Sequence, residues 1–224
     1  MTTRLDHIVV AAKTIEAGVD YVNDQFGVEI PAGGRHEMMG THNHVMSLGE
    51  EVYLEVIAIN PEMDSPSSPR WFGLDDPFVR ARLEQSPMLL TWAVNTDRLE
   101  SLVSQSRVPL GEIRDAQRDD LRWRVALSED GRLPAAGFIP LCIEWRMDFH
   151  PSKRMRQQGC TLISLDLYHP TPAWLADALD TIGVQDSPRS CVHIHGLPGL
   201  ETPYLSCTVN SPKGEVTLSS RDNV

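Results

Sequence analysis

The chain has 224 residues, of which 41% are hydrophobic and 23% are charged, and this balance predicts a folded protein with a packed core. Its formal charge of -11 at pH 7 argues against nucleic acid or an anionic membrane as a main partner. No apolar run approaches the ~18 residues of a membrane-spanning helix, and no signal-peptide pattern is present. The four cysteines lack CxxC spacing, which favours reduced thiols in a cytoplasm and argues against a zinc–thiolate site.

An apolar strand near the start of the chain encloses one ionisable residue. LDHIVVAA, residues 5 to 12, is apolar at odd and even positions alike, so both faces of this strand should be covered. A helix follows, with Thr14 as the expected N-cap and Gly27 as its stop. Because a buried imidazole loses its water and must find a donor, a counter-charge or a metal, His7 is a first candidate for a site.

A second strand of the same kind, VYLEVIAI at residues 52 to 59, encloses Glu55. A strand-like run at residues 36 to 48 precedes it, so this part of the chain follows the order β-α-β-β, with room for a third short strand. His42 and His44 are two residues apart in that run and share one strand face. Such spacing can chelate a metal but is more typical of a pocket edge or a wet strand face.

The same order of elements then repeats. Strands are predicted at residues 88 to 95 and 138 to 145, with a helix and a hairpin between them. Aligning the two segments places Thr91 at the position of His7 and Glu144 near the position of Glu55. The repeated order and the repeated acidic residue together indicate an internal duplication.

A third segment of similar order follows a polar linker. It consists of a predicted strand, a helix and three more strands. We expect one paired domain with an additional βαβββ-like C-terminal module packed on it. The expected boundaries are 1–150 for the paired domain, about 4–60 and 88–146 for its two modules, and 160–224 for the C-terminal module.

Seven stretches in order resemble the glyoxalase-like domain proteins of the vicinal oxygen chelate (glyoxalase/bleomycin resistance/dioxygenase) superfamily. They are LDHIVV, GTHNHVMSLGEEVYLEVIAINP, FGLDD, WAVNTDRLESL, LRWRVAL, IPLCIEW and HPSKRMRQQGCTL, and the resemblance covers about residues 4 to 180. It implies an α+β fold of tandem βαβββ modules. These modules would form curved, cup-like mixed sheets, with helices on the outer face and a small-molecule site inside.

In metalloenzymes of that superfamily, each module supplies one metal ligand from its first strand and one from its last. Carried onto this chain, the resemblance implies His7, Glu55 and Glu144 as metal ligands, with Thr91 in place of the usual fourth. Such a set can hold Zn, Mn, Fe or Ni, and no organic cofactor is implied. Glu144 or Glu55 would then shuttle protons. The alternative from the residues alone is a paired polar core, or a pocket without metal, in which His7 bonds to Glu55.

Other residues are candidates for contacts with the substrate. Arg122 flanks a tryptophan within a mixed-charge hairpin and would reach an anionic group, although such hairpins are usually solvated. His150 matches a family stretch near the mouth of the cup, and a place in a turn is the favoured expectation for it. The expected substrate-binding residues are Asn43, His44, Thr91, Arg122 and Trp145.

The leading function is a small-molecule enzyme of the vicinal oxygen chelate type, with lyase, isomerase or dioxygenase chemistry. Metal assistance would follow if His7, Glu55 and Glu144 converge. The alternative is a non-catalytic protein that binds or sequesters a small molecule, as bleomycin-resistance members do, with a degenerate metal site. Exposed sheet edges often pair in folds of this kind, so a homodimer is one expected assembly.

Overall fold

The computed structural model describes residues 3–187, 190–199 and 201–221. Twelve strands and four α-helices lie within these ranges. The strands are β1 (Arg4–Ala11), β2 (Ala32–His36), β3 (Thr41–Ser47), β4 (Tyr53–Ile59), β5 (Met88–Asn95), β6 (Glu112–Arg118), β7 (Leu121–Leu127), β8 (Leu141–Trp145), β9 (Thr161–His169), β10 (Val192–Gly196), β11 (Tyr204–Ser211) and β12 (Gly214–Ser219). The helices are α1 (Ile15–Phe26), α2 (Pro77–Leu83), α3 (Leu99–Gln105) and α4 (Pro172–Thr181).

Eight strands form one curved sheet in the order β2-β3-β4-β1-β5-β8-β7-β6. In each half the first strand runs parallel to the last, while the remaining neighbours are antiparallel. The two first strands, β1 and β5, pair antiparallel at the centre and so join the halves. The predicted α+β class, with paired βαβββ modules and helices outside a curved mixed sheet, is confirmed.

Helix α1 has the predicted boundaries. The Thr14 hydroxyl accepts a hydrogen bond from the Ala17 N–H at 3.3 Å, which satisfies one of the free donors of the first turn. Gly27 follows the helix with φ of 71°, a left-handed conformation that glycine adopts without steric cost. The apolar side of α1 packs on the outer face of the sheet, where Val22 and Phe26 are fully buried. This coverage explains why the central strands are apolar on both faces.

The C-terminal segment adds a second sheet of four strands in the order β10-β9-β11-β12. Helix α4 connects β9 to β10, which lie side by side in parallel and therefore need a crossover connection. Its order of elements along the chain matches that of the other two modules, but its strand pairing differs. In the earlier modules the first strand pairs with the last, as β1 does with β4 and β5 does with β8. Here the first strand, β9, lies between β10 and β11. Leu165 and Cys207 of this sheet belong to the same hydrophobic cluster as Phe26 and Trp92.

None of the helices in the described part of the chain combines the length and apolar character needed to cross a membrane.

Candidate functional site

The concave face of the eight-stranded sheet lines a cavity. One part of its wall is polar, and the rest consists mainly of aromatic and aliphatic side chains, a composition typical of small-molecule sites. Both modules contribute, because the strands of the second module supply most of the apolar wall. The polar lining residues are His7, His36, Asn43, Tyr53, Glu55 and Arg118.

A β-bulge in β1 places two consecutive polar residues on this concave side. Leu5 pairs with Val94 and His7 pairs with Ala93, so Asp6 is an extra residue with no partner of its own on β5. In a regular strand, neighbouring side chains point to opposite faces. The bulge removes that alternation locally: Leu5 packs against the outer core, whereas the side chains of Asp6 and His7 meet.

Asp6 is fully buried and is the centre of a hydrogen-bond network. Burial raises the pKa of its carboxyl, but hydrogen bonds from His150 and His7 outweigh burial and hold that pKa well below its ordinary value. Asp6 is therefore a carboxylate, which can only accept hydrogen bonds. Its oxygens accept from His7 Nδ1 (2.6 Å), Asn95 Nδ2 (2.8 Å), Trp145 Nε1 (2.7 Å) and His150 Nε2 (2.9 Å).

This carboxylate fixes the orientation of the His7 imidazole. Because Asp6 only accepts, the Nδ1 atom of His7 carries a proton, and its Nε2 atom is turned toward Glu55, 3.6 Å from Oε2. The Tyr53 ring stacks on the imidazole with centroids 4.6 Å apart. Burial, followed by the charges of Asp6 and Glu55, raises the pKa of the Tyr53 phenol, which therefore keeps its proton. His7 and Glu55, both singled out in the sequence, thus lie together in the cavity.

Glu55 continues the network toward the second module. Its Oε1 accepts a hydrogen bond from Asn43 Nδ2 at 2.5 Å, and Asn43 Oδ1 accepts from Arg118 Nη1 at 2.8 Å. Arg118 reaches over β2, where an added Cβ on Gly34 would lie only 2.8 Å from Arg118 Cδ. The two edge strands of the sheet therefore approach each other at this point, and the small residue at position 34 makes room for the arginine stem.

His36 is a buried neutral imidazole at the edge of the network. Burial, followed by the positive charge of Arg118, lowers the pKa of His36 to about 3. Its Nδ1 atom lies 3.1 Å from the Thr41 hydroxyl. Its ring meets Trp71 edge to face, with centroids 4.8 Å apart.

The structure does not bring Glu144 to the cavity. Its side chain leaves the opposite face of β8, where it pairs with Arg124 and with Arg146, the latter at 2.9 Å. Ile143, its neighbour in the strand, lines the cavity instead. The alignment placed Glu144 near the position that corresponds to Glu55, but it did not determine the face to which Glu144 points. A shift of one residue along a strand turns a side chain to the other face of the sheet.

Of the five residues expected to bind substrate, three lie outside the cavity and two line it. Arg122 is exposed on the outer face of β7. His44 lies on the outer face of β3, where its Nδ1 atom donates to the Ile30 carbonyl at 2.9 Å. Thr91 is buried, and its hydroxyl donates to the Gly137 carbonyl at 3.2 Å. Asn43 and Trp145 lie in the cavity wall, and their substrate-binding role stays a prediction.

Several polar residues of the site were not singled out by the sequence patterns. Asp6 was overlooked beside His7, although two adjacent polar residues within an apolar strand are the signal of a bulge. Arg118 belongs to the same mixed-charge hairpin as Arg122, and residues of such hairpins are usually solvated. His150 precedes the turn at residues 151–154, as expected, but its Nδ1 atom accepts from the Ser152 N–H at 3.3 Å, which directs its Nε2 proton to Asp6.

The donor set at the cavity does not fit the expected metal site. His7 and Glu55 converge, but Glu144 lies on the other face of the sheet. Within the described ranges, no three His, Cys, Asp or Glu side chains are placed to share one ion. Catalytic zinc sites use three protein ligands, and the two groups present here fall short of that number.

Comparison with known proteins agrees with the fold. A family model described as a glyoxalase-like domain matches residues 5–183. A hypothetical protein from Staphylococcus aureus superposes with a TM-score of 0.57 at 12% identity, covering 98% of this chain and 85% of that chain. No curated protein sequence matches this chain.

Two enzymes have lower structural similarity. Methylmalonyl-CoA epimerase from Mycobacterium tuberculosis has a TM-score of 0.41 and 16% identity, covering 63% of this chain and 86% of that chain. A mutant 4-hydroxymandelate synthase from Streptomyces coelicolor has a TM-score of 0.45 and 13% identity, covering 97% and 62%. The match over residues 5–183, on a sheet built from two βαβββ modules, shows that this chain belongs to the glyoxalase-like domain family.

Proposed function

We propose that this protein is a small-molecule enzyme that moves a proton at a carbon next to a carbonyl group, as an isomerase or lyase does. The observation that carries the proposal is the buried Asp6–His7–Glu55 arrangement on the cavity floor. His7 Nδ1 is held by the Asp6 carboxylate at 2.6 Å, and His7 Nε2 lies 3.6 Å from Glu55 Oε2. A histidine held in one orientation by a carboxylate is a common general base.

Each member of the arrangement has a distinct role in this proposal. His7 Nε2 removes the proton from carbon, and Asp6 keeps the imidazole oriented and stabilises the positive charge that forms on it. Glu55 lies close enough to take part in returning the proton to a neighbouring atom of the substrate. Isomerase and lyase reactions of this kind require a proton carrier and a stabilised enolate oxygen.

Arg118 supplies the stabilisation of that oxygen. Its guanidinium lines the cavity and is tied to Glu55 through Asn43, so its place is fixed before a substrate arrives. A preorganised donor aimed at developing negative charge is worth ~2.7–4 kcal/mol in comparable sites. The carbonyl oxygen of the substrate would therefore lie toward Arg118, and the acidic carbon toward His7.

Deuterium exchange tests the proposal directly. The protein would be incubated in D₂O with hydroxyacetone, pyruvate and phenylpyruvate, and loss of the signal of the proton next to the carbonyl would be followed by NMR. We expect catalysed exchange with at least one probe and a loss of about 10²-fold or more in His7→Gln, because general base catalysis contributes ~10²–10⁴-fold. Chelation with EDTA should leave the rate unchanged.

His42→Gln is the matched control, since His42 lines a different cleft on the outer side of the sheet and should exchange as the parent does. Circular dichroism would establish that both variants are folded. Exchange that survives in His7→Gln contradicts the proposal. Tight binding of a probe without any exchange would instead support a protein that sequesters its ligand.

A further inference from the structure

The cavity combines one cation that lacks a carboxylate partner with a wall of flat aromatic rings. We infer that its ligand is a flat, aromatic or conjugated molecule that carries a carboxylate, and that Arg118 anchors that carboxylate with the N–H groups that the carbonyl oxygen does not occupy. This inference rests on the proposed function, because it names the substrate class of the same cavity. It concerns recognition rather than proton transfer, and the two can be tested separately.

Arg118 is the first part of the argument. Its Nη1 atom donates to Asn43 Oδ1, but its Nε atom is buried without any hydrogen-bond partner. No Asp or Glu lies within ion-pair distance of Arg118 in the described ranges, whereas Arg124 on the outer face pairs with two glutamates. A guanidinium carries five N–H donors in a planar fork that matches a carboxylate. Within the described residues the guanidinium donates to the Asn43 amide and to no carboxylate, so its fork has N–H groups left for a carboxylate of a ligand.

The position of the guanidinium is built into the sheet. An added Cβ on Gly34 would lie 2.8 Å from Arg118 Cδ and 3.2 Å from its Nε, so the arginine stem rests directly on the β2 backbone. The Gly34 N–H also donates to Asn43 Oδ1 at 3.0 Å, the same atom that Arg118 contacts. Side chains fixed in this way lose little freedom on binding, which favours affinity for a ligand of matching shape.

The aromatic wall is the second part of the argument. Three of the five tryptophans of the chain, Trp71, Trp123 and Trp145, line this one cavity together with Phe72. The Trp123 and Trp145 rings are 5.5 Å apart and tilted by 52°. Aromatic pairs prefer offset or edge-to-face contacts at such separations, so a flat ring of the ligand can pack among them.

The overall charge gives Arg118 additional importance. With a formal charge of -11, the protein as a whole repels anions, so an anionic ligand requires a local cation at its site. Arg122, which the sequence pattern suggested for this purpose, is exposed on the outer face of the sheet and lies outside the cavity. Arg118 is the residue that brings a positive charge into the cavity wall.

Binding of three matched probes tests the inference. Phenylacetate has the ring and the carboxylate, 2-phenylacetamide has the ring without the charge, and cyclohexylacetate has the charge without the flat ring. Calorimetric titration of the wild-type protein should show phenylacetate binding about tenfold or more tightly than 2-phenylacetamide, because the amide lacks the charge that strengthens hydrogen bonds to a guanidinium. Phenylacetate should also bind more tightly than cyclohexylacetate, because the saturated ring lacks the π face that packs against the tryptophans. In Arg118→Gln the preference for acid over amide should disappear, and in Arg122→Gln it should persist.

Each outcome decides the matter. Equal binding of phenylacetate and 2-phenylacetamide, equal binding of phenylacetate and cyclohexylacetate, or no binding of any probe at millimolar concentration would overturn the inference. These comparisons use the wild-type protein, so they hold even if Arg118→Gln does not fold. Exchange that persists in His7→Gln would overturn the proposed function without altering the acid preference, so the two failures are distinguishable.

Discussion

A single buried carboxylate organises the site at the scale of residues. Asp6 loses its water on folding, and four donors from β1, β5, β8 and the turn after β8 replace that water. Because those donors come from both modules, the carboxylate joins the two halves of the sheet at the base of the cavity. The residue next to the proposed general base is therefore also a structural junction.

Substitution of this carboxylate should cost stability. In Asp6→Asn the side chain keeps one acceptor oxygen and gains two donors, so at least one buried donor around it is left without a partner. Such an orphaned group costs about 1–3 kcal/mol, and we expect a loss of that size in the free energy of unfolding in urea. Exchange activity should fall as well, because the imidazole of His7 is no longer held.

Asp177→Asn is the control for this experiment, since Asp177 is largely exposed in a surface pair with Arg107. Its removal should change stability by less than about 1 kcal/mol. The effect of Asp6→Asn should also shrink at low pH. The pKa of Asp6 is lowered in the folded state, so its stabilisation is complete above about pH 4 and is lost as the pH falls below that value.

His36 predicts a second dependence on pH, at a higher range. Burial, followed by the charge of Arg118, lowers the pKa of His36 to about 3 from 6.5, so between these values the unfolded chain is protonated there while the native protein is not. Stability is therefore lost as the pH falls through about 6.5. Linkage gives a loss of roughly 2 kcal/mol between pH 7 and pH 5.

Urea unfolding at pH 7 and pH 5 would measure this contribution. The decrease in unfolding free energy should be smaller by about 2 kcal/mol in His36→Gln than in the parent. His193→Gln, on the half-exposed β10, should show the same decrease as the parent. Identical decreases in all three proteins would show that His36 does not titrate as the structure requires.

At the scale of elements, the contact between α1 and β4 links the outer layer to the site. Gly18 faces β4, and an added Cβ there would lie 2.5 Å from Val56 Cγ1 and 2.9 Å from Ala12 Cβ. The residue before Val56 in the strand is Glu55, whose side chain leaves the other face toward the cavity. Any movement of β4 away from the helix therefore moves the site as well.

Gly18→Ala should destabilise the protein, contrary to the usual effect of this substitution. Alanine gains ~1 kcal/mol over glycine inside a helix, but overpacking of a tight contact costs about 1–3 kcal/mol, and the second effect should dominate here. Urea unfolding and the exchange rate would both be measured, and both should fall. A more stable Gly18→Ala protein would contradict the tight contact. Ala17→Gly, at an exposed position of α1, should lose only the propensity term and leave exchange unaffected.

At the scale of the whole molecule, one hydrophobic cluster unites the main sheet with the C-terminal sheet. Leu165 and Leu205 of the second sheet belong to the same cluster as Leu89 and Trp92 of β5. A shared core of this kind predicts that the two sheets unfold together. The C-terminal module then acts as a structural layer behind the site, and we propose that it does not fold independently.

Leu165→Ala tests this cooperativity. Its side chain is fully buried, so truncation should cost about 2–5 kcal/mol. In a Trp174→Phe background, tryptophan fluorescence reports on the main sheet, because the other four tryptophans lie outside the C-terminal module. We expect the urea midpoint of this signal to fall with Leu165→Ala and to change little with Ile163→Ala, which is exposed. An unmoved midpoint in Leu165→Ala would show independent units.

The sequence allowed much of the fold and part of the site to be predicted. Apolar runs on both strand faces, helix caps and the repeated order of elements are local signals, and they led to the module plan and to His7 and Glu55. The face of the sheet to which a strand residue points is not a local signal, because it depends on the register of the strand. Glu144 has the expected chemistry on the wrong face of the sheet. The contact of Arg118 with β2 depends on the curvature of the eight-stranded sheet, and no local sequence pattern predicts that curvature.

The bulge in β1 makes the buried carboxylate depend on a single codon. Asp6 is the extra residue between Leu5 and His7, which occupy opposite faces of the sheet. A gene without that single codon would encode the same strand, with Leu5 still on the outer side and His7 still on the inner side. A difference of one codon is therefore sufficient to place or remove the carboxylate beside the histidine of this strand.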